Sequence, residues 1–417
     1  MRRLLWPLGL AAVLSSPVGA TSPRPDPVPI LGQVPAAGAP LTLDAALALA
    51  AASNPALAAA AKEAEALQGG VTQAGVLPNP DIVLGVEDTR RDSRTTRVEI
   101  GIPVELGGKR SARILAAERA QTAAVAELAQ ARAQLRAAAV AAFFDLLIAQ
   151  EGLELAAGSA QVAARASDIA ARRVAAGKVA PLEETRARVE RANAELETDV
   201  ARARVQEARR ALGSLWGEPE PDFGKAVGSL DILPARPPID RLLQDLERAP
   251  ELVAHRLEIE RRDAVVGVER SKRYPDLRLT AGTQRNNELG RNQTLLGISI
   301  PLPLFDRNQG NLYEATVRAD QARDLHRALQ VRLAHELRQA CARLELARRS
   351  ADTLKATVLP GARDAYESAT RGFEAGKSGF LDVLDAQRTL FRARIRYLAV
   401  LADTYQAAIA IDRVLGY

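Results

Sequence analysis

The 417-residue sequence is long enough for two or three ordinary domains, and its single cysteine, Cys341, excludes an intramolecular disulfide framework. Its formal net charge of +5 falls to +3 without Arg2 and Arg3, and the other basic residues alternate with acidic ones along predicted helices. Because aromatic residues make up only 4% of the chain, the composition argues against binding to nucleic acid.

The N-terminus has the features of a secretory signal peptide. A basic start, Arg2-Arg3, precedes an apolar run, Leu4–Leu14, and a small-residue exit at Val18-Gly19-Ala20. The run is shorter than the ~20 residues that a helix needs to cross a bilayer, so we interpret residues 1–20 as a cleaved signal peptide. No cysteine lies near the predicted cleavage site, so lipid attachment through an N-terminal cysteine is not expected. The proline-rich residues 21–40 are predicted to form an extended leader.

The two halves of the chain resemble each other. Four short sequences recur in the same order at shifts of 195 to 199 residues, which favours duplication of one unit over chance. The pairs are Asn54–Leu57 with Ala249–Leu252, Pro80–Ile82 with Pro275–Leu277, Ile102-Pro103 with Ile300-Pro301, and Ala176–Lys178 with Ala375–Lys377. We therefore predict two repeats, 41–230 and 231–417, each with a helix, two strands and two further helices.

Each repeat contains two segments in which apolar side chains alternate with small or polar ones, as in β-strands with two different faces. The apolar positions are Ile82, Leu84 and Val86; Val98, Ile100, Ile102 and Val104; Leu277, Leu279 and Ala281; and Leu296, Ile298, Ile300 and Leu302. A half-buried sheet in a soluble domain shows the same alternation, but four strands cannot close a barrel or build a large sandwich. If the strands cross a membrane, several chains must pool them, because open edges are not tolerated in lipid.

Long helices are predicted to follow each pair of strands. The sequence from Val104 to Ala180 has no proline, and its apolar residues recur at coiled-coil spacing. A helix from about Gly108 to Ala175 would be roughly 100 Å long at ~1.5 Å per residue. A second proline-free run extends from Leu304 to Leu359, and Pro360 predicts a kink or short break. Both helical runs end at Ala-Gly-Lys, where glycine allows the chain to turn back.

Residues for catalysis or metal binding are few. Gly107-Gly108-Lys109 lacks the spacing of a phosphate-binding loop, and Asp382 and Asp385 have no nucleophile or histidine near them in the sequence. The three histidines are scattered on predicted helices and are not spaced as metal ligands: His255, His326 and His335. We predict no enzyme activity, no cofactor and no metal site. Borderline metal cations need such side chains to be selected, so the sequence offers little means of choosing among them.

From about Leu41 to Tyr417 the sequence resembles the TolC-type outer-membrane efflux proteins. The most specific stretch is FEAGKSGFLDVLDAQRTLFRARIRYL, Phe373–Leu398, which has a weaker copy, VAAGKVAPLEETRARVERA, at Val174–Ala192. A Pro-Asp opening and an Ile-x-Ile-Pro strand end, which are typical of the family's paired strands, occur in both repeats. The first stretch and the N-terminus are most similar to the heavy-metal branch of the family.

The resemblance implies an α+β membrane protein, mostly α, that assembles as a homotrimer. The four strands of each chain would form a 12-stranded β-barrel in outer-membrane lipid, continued by a long coiled-coil helical tunnel in the periplasm. Such a channel passively conducts substrate from the periplasm to the exterior. The implied partners are a periplasmic adaptor (membrane fusion) protein and a proton-driven inner-membrane resistance-nodulation-division pump. The implied cargo is divalent heavy-metal cations such as cobalt, zinc and cadmium.

The resemblance also implies roles for residues near the turns of the two helical hairpins. The acidic residues that would ring the periplasmic entrance are Asp382, Asp385 and Glu183. The residues that would lie at the tips and face the adaptor are Gly177, Lys178, Gly376 and Lys377. Ser378 and Phe373 depart from the family pattern, since some members have an arginine and a tyrosine there. The polar latch that holds the entrance shut is therefore expected to be different or weaker.

Two other functions are open at this point. A drug or organic-solute efflux channel of the same fold differs little from a metal channel in these motifs. A periplasmic coiled-coil adaptor or scaffold without a pore usually has one helical hairpin flanked by β-rich domains. The two hairpins and four strands predicted here favour the channel.

Overall fold

The computed structural model describes residues 38–88, 90–230, 232–375 and 377–417. The predicted signal peptide, most of the predicted leader and Gly376 lie outside these residues. The described chain is mostly helical and contains one four-stranded sheet, as the sequence predicted.

The first half of the chain has two short helices, two strands and two long helices. They are α1 (Leu43–Ser53), α2 (Pro55–Ala74), β1 (Asp81–Glu87), β2 (Thr95–Val104), α3 (Lys109–Ala175) and α4 (Pro181–Ser214). Asn54 separates α1 from α2 because its side-chain oxygen accepts the N–H of Leu57 at 2.7 Å, and Pro55 fits the first turn of α2. Within the described residues, no single helix has the length and apolarity to span a bilayer; the bent pair α1 and α2 passes that test together.

The second half again places a pair of strands between helices. Its elements are α5 (Ile239–Asp245), a 3₁₀ turn (Leu246–Arg248), α6 (Pro250–Ser271), β3 (Leu277–Asn286), β4 (Arg291–Ser299), α7 (Gln309–Thr353), α8 (Leu359–Glu374) and α9 (Phe380–Leu415). The break predicted at Pro360 is a single π-helical turn, Leu354–Val358, between α7 and α8. Proline lacks the N–H that a regular α-helix uses, and the wider turn carries the chain past it.

The long helices form two hairpins that lie side by side. α3 has 67 residues, so at ~1.5 Å per residue it is about 100 Å long, as predicted. It packs along α4, while α7 and α8 pack along α9, and α3 also contacts α9. Most buried side chains of α3 are alanines, including Ala139, Ala156, Ala163 and Ala170. Alanine lets helices approach closely and loses little side-chain freedom on burial.

Larger apolar side chains are concentrated where the short helices and connecting segments pack on the long helices. One cluster contains Leu242, Leu333 and Ile411, from α5, α7 and α9. A second cluster contains Leu41 and Phe143, on the N-terminal segment and the middle of α3. These clusters hold the short helices against the middle of the long ones. Because β2 precedes α3 and α4 follows it, the sheet lies at the N-terminal end of α3 and the hairpin turn lies at its C-terminal end.

The four strands pair in the order β1-β2-β3-β4, and every pair is antiparallel. The register aligns Ile82, Ile100, Ala281 and Leu296 in one row across the sheet. β4 ends at Ser299, so the prediction of Ile300 and Leu302 as strand positions was wrong. Pro301 and Pro303 have no N–H for strand pairing, which explains the early end of β4.

Candidate functional site

The sheet has one apolar face, and that face is exposed. The exposed fractions of Ile82, Leu84, Leu296 and Ile298 on the two outer strands are 68%, 75%, 82% and 71%. The side chains that share this face on β2 and β3 are also largely apolar, so the face continues across all four strands. An apolar patch of this extent marks a surface that contacts another protein or lipid.

The opposite face of the sheet is polar. Arg278 forms an ion pair with Asp81, and Arg97 forms one with Glu87 at 3.0 Å. A Cβ on Gly101 would lie only 2.8 Å from Asp81 Oδ1 and 2.9 Å from the Arg278 guanidinium. Glycine at this position leaves room for the ion pair above the sheet.

Both outer strands have an open edge. Within the described residues, β1 pairs only with β2 and β4 pairs only with β3. The backbone N–H and C=O groups of an open edge are available to pair with a strand from another chain. The sheet of one chain is therefore amphipathic and incomplete.

The first hairpin turn joins α3 to α4. Gly177 adopts a φ of +65°, which glycine accepts without strain, and the N–H of Lys178 donates to Arg173 O at 2.9 Å. No atom lies within 4 Å of a Cβ added to Gly177, so the turn is uncrowded. Glu183 lies in the first turn of α4, where the positive end of the helix dipole stabilises a carboxylate.

The second hairpin turn joins α8 to α9. The N–H of Lys377 donates to Gly372 O at 2.7 Å, and Asp382 Oδ2 accepts the N–H of Gly379 at 2.8 Å at the start of α9. Asp382 therefore caps α9, a role that its sequence position alone did not reveal. Asp385 follows one helical turn later, and both aspartates are exposed. Of the predicted tip residues, Gly376 lies outside the described part of the chain.

The two hairpins contact each other near their turns. The Arg173 guanidinium lies 4.2 Å from the centre of the Phe373 ring, which links α3 to α8. Leu384 on α9 is buried against Ala170 and Ala187 of the first hairpin. Phe373 therefore contributes to packing between the hairpins. Ser378 packs close to Gly372 within the second turn.

A second contact between the hairpins is an ion pair between Arg388 on α9 and Glu190 on α4. Arg388 Nε donates to Glu190 Oε1 at 2.9 Å, and Nη2 donates to Oε2. This hydrogen bonding is the main cause that raises the pKa of Arg388 above its usual value, with a smaller contribution from the charge of Asp385. Sequence reasoning missed Glu190, because nothing in the local sequence relates it to a residue in the other half of the chain.

Metal-ligating side chains are sparse in the described residues. No group of three or more His, Cys, Asp or Glu side chains there has the arrangement of a metal site. His326 on α7 lies near His255 on α6, although the two are far apart in sequence. Burial, then the charges of His255 and Arg256, lower the pKa of His326. Cys341 is half-buried, and burial raises its pKa.

Comparison with known proteins places these features in a family. The Outer membrane efflux protein family matches residues 46–218 and again residues 242–417. The Cobalt-zinc-cadmium resistance protein CzcC of Cupriavidus metallidurans is 54% identical over 419 aligned residues, which cover 100% of both chains. The Nickel and cobalt resistance protein CnrC of the same species is 31% identical, over 68% of each chain.

The fold is also similar to solved structures of outer-membrane proteins. The outer membrane protein VceC of Vibrio cholerae superposes with a TM-score of 0.74, covering 90% of this chain and 96% of that chain. Its sequence is 21% identical, so this likeness concerns the fold alone.

Proposed function

The chain belongs to the Outer membrane efflux protein family, and from this premise we propose that it is the outer-membrane channel subunit of a tripartite, proton-driven efflux pump. It passively conducts divalent heavy-metal cations, such as cobalt, zinc and cadmium, from the periplasm to the exterior. The observation that carries this proposal is the 54% identity to CzcC over the whole of both chains. The homologous proteins are efflux channels, which are not enzymes.

The amphipathic sheet supports a barrel formed by several chains. Its apolar face suits lipid, its polar face suits a water-filled interior, and both outer strands need a partner. If β4 of one chain pairs with β1 of the next, three chains close a 12-stranded barrel without a free edge. The protein then functions as a homotrimer in the outer membrane.

The helices support a tunnel that continues from the barrel. α4 lies at the edge of the helical layer, where it packs mainly on α3. Leu182, Val189 and Leu196 are exposed on α4 at seven-residue spacing, which is the pattern of a coiled-coil contact. A neighbouring copy that covers this stripe would close the layer into a periplasmic tunnel about 100 Å long.

The scarcity of metal ligands supports passive conduction. The described residues hold no cluster of three or more metal-ligating side chains, and borderline cations need such groups to be selected. In this proposal the inner-membrane resistance-nodulation-division pump selects the metal. The subunit described here provides the exit path.

The hairpin turns are the proposed contact with the rest of the pump. The residues at the tips that face the periplasmic adaptor are Gly177, Lys178, Gly376 and Lys377. The carboxylates proposed to line the entrance are those of Asp382, Asp385 and Glu183. Residues 1–20 act as the cleaved signal peptide. The division into two repeats, 41–230 and 231–417, is supported by the two separate matches to one family.

Expression in a bacterium that lacks its own metal-efflux channel, but has the matching adaptor and pump, tests the function. We expect restored tolerance to cobalt, zinc and cadmium, a protein that starts near Thr21 in outer-membrane fractions, and a native mass of three chains. Tolerance to organic drugs without tolerance to metals would instead support a drug channel. A folded monomer in the soluble periplasm would support a scaffold without a pore.

A further inference from the structure

A cavity of about 530 Å³ lies between α7 and α9, beside the π-helical turn Leu354–Val358. Its polar lining consists of three arginines and three hydroxyl side chains, and its other lining residues are aliphatic. The polar residues are Arg349, Arg392, Arg396, Ser350, Thr353 and Thr389. No carboxylate is among the lining residues, so the cavity is strongly basic. Its volume is in the range of cavities that bind small molecules.

Two of the three arginines of this basic cavity, Arg392 and Arg396, have no ion-pair partner among the described residues. Arg392 and Arg396 are four residues apart on α9, so their guanidinium groups share one face and repel each other. Among the described residues, no carboxylate lies within ion-pair distance of either one. Arg349 contacts only Glu345, at 3.5 Å and with both side chains largely exposed. By contrast, Arg388 on the same helix is held by Glu190.

The π-helical turn helps to shape the cavity. Leu354 and Val358 of the turn line it, together with the last residues of α7. The hydroxyl of Thr353 donates to Arg349 O at 2.9 Å, which fixes its oxygen beside the arginines. In the first half of the chain α3 is continuous and has no such turn.

The basic cavity is distinct from the cavities under the segment that connects the two halves, although Arg349 also lines one of those. Arg394 and Tyr397 line a different cavity, under Gly228–Leu230 of that segment. Arg392 and Arg394 are two residues apart, so they point about 200° apart around the helix axis. Arg394 therefore lies outside the basic cavity, on another side of α9.

We infer that the basic cavity binds a small oxyanion with the chemistry of inorganic phosphate. Guanidinium groups form paired N–H···O bonds with such anions, and the hydroxyls of Ser350 and Thr389 provide further donors. The binding site lies within one chain. Its repetition in a trimer rests on the proposed function. In a trimer the sites would form a belt about 10 Å along α9 from Asp385, at ~1.5 Å per residue.

Isothermal titration calorimetry of the purified full chain in detergent, with inorganic phosphate at low ionic strength, tests this inference. We expect saturable binding with about one phosphate per chain. Arg392→Gln and Arg396→Gln should each weaken binding by about tenfold or more, because each removes a charge-assisted hydrogen-bond donor. Arg396→Lys should recover part of the affinity, since it keeps the charge but loses the paired geometry. Chloride should bind more weakly than phosphate.

Arg394→Gln is the matched control, because it removes the same charge from the other side of the same helix. An equal loss of affinity in this variant would show a general charge effect and overturn the inference. Absence of saturable binding by the wild-type protein would also overturn it. A monomer that still binds phosphate would contradict the tunnel but not this site, and a trimer that binds none would contradict this site alone.

Discussion

Arg388 on α9 and Glu190 on α4 form a bidentate ion pair that joins the two hairpins, although the residues are 198 positions apart. The side chain of Glu190 is only 16% exposed, so the contact is partly shielded from water. Arg388 is the arginine nearest in sequence to Asp382 and Asp385 at the start of α9, and its guanidinium group is bound by Glu190. Within the described residues, Asp382 and Asp385 have no ion-pair partner of their own, and Asp382 accepts the Gly379 N–H instead.

Arg388→Gln should loosen the contact between α4 and α9 near the hairpin turns. A bidentate, partly shielded pair contributes more than an exposed one, for which about 0.2–1 kcal/mol is typical. In planar bilayers we expect larger or longer openings than in the wild type. Arg363→Gln is the control, because Arg363 pairs at 3.0 Å with Glu367 of its own helix. Identical single-channel records for all three proteins would show that the Arg388 pair does not restrain the entrance.

Leu296→Arg and Leu295→Arg test the assignment of the two sheet faces. These neighbours on β4 point to opposite faces, and Leu296 is 82% exposed on the apolar one. An arginine that faces lipid near the middle of the bilayer costs about 2–4 kcal/mol, whereas one that faces the interior contacts water. We expect Leu296→Arg to reduce the trimer recovered from outer membranes, and Leu295→Arg to assemble normally. Normal assembly of Leu296→Arg together with loss of trimer in Leu295→Arg would show that the two faces are assigned the wrong way round.

Much of the fold could be predicted because it depends on local sequence. The extent of α3 was predicted from its coiled-coil spacing and from its lack of proline. The four strands were located by the alternation of apolar side chains with small or polar ones. The end of β4 was misplaced, because the alternation continues through Ile300 and Leu302 whereas Pro301 interrupts the pairing. Pro360 predicted a break, but not that it is a π-helical turn. That outcome depends on how α7 and α8 pack along α9.

The candidate site was harder to predict, because its contacts join distant parts of the chain. The positive φ of Gly177 follows from a glycine between two helical runs. The cap formed by Asp382 depends on where α9 starts, which the sequence locates only roughly. The pairing of Arg388 with Glu190 and the basic cavity between α7 and α9 depend on the packing of the long helices. No local pattern contains that information.

Gly177→Glu tests the first hairpin turn as a docking point. The φ of +65° at Gly177 costs a non-glycine residue roughly 1 kcal/mol, which a large protein tolerates. The added carboxylate would also block close approach of a partner's backbone. We expect folded trimers in the outer membrane and loss of metal tolerance. Gly158→Glu, at an exposed position within α3, is the control and should retain tolerance. Full tolerance in the Gly177→Glu strain would show that the adaptor binds elsewhere.

His326→Leu should weaken the dependence of stability on pH. Burial, then His255 and Arg256, lower the pKa of His326, and its Nδ1 has no hydrogen-bond partner in the described residues. The folded state therefore binds this proton less well than the unfolded state, so stability is lost as pH falls below the usual histidine value near 6.5. Scans at a fixed heating rate should show a smaller drop in the unfolding midpoint between about pH 7.5 and pH 5.5. An unchanged drop in His326→Leu, or the same reduction in the control His335→Leu, would contradict this role.

Replacement of both Asp382 and Asp385 by asparagine tests the proposed acidic entrance. The two residues are one helical turn apart, so threefold symmetry would repeat them as two stacked rings of carboxylates. A single pair of charges at ~4 Å interacts by about 1 kcal/mol in water and by about 4 kcal/mol at an effective dielectric of 20. Several carboxylates around one constriction should therefore favour cations without holding them tightly.

In planar bilayers the double variant should show weaker cation selectivity, altered conductance and weaker block by multivalent cations. In the Asp382→Asn change the new amide oxygen can still accept the Gly379 N–H, so the start of α9 should keep its cap. The control replaces Glu151 and Glu154 by glutamine, because these acids are also three residues apart but lie on α3 beside the connecting segment. That control should keep wild-type selectivity. Equal selectivity in the wild type and a correctly folded Asp382→Asn, Asp385→Asn variant would reject the acidic entrance.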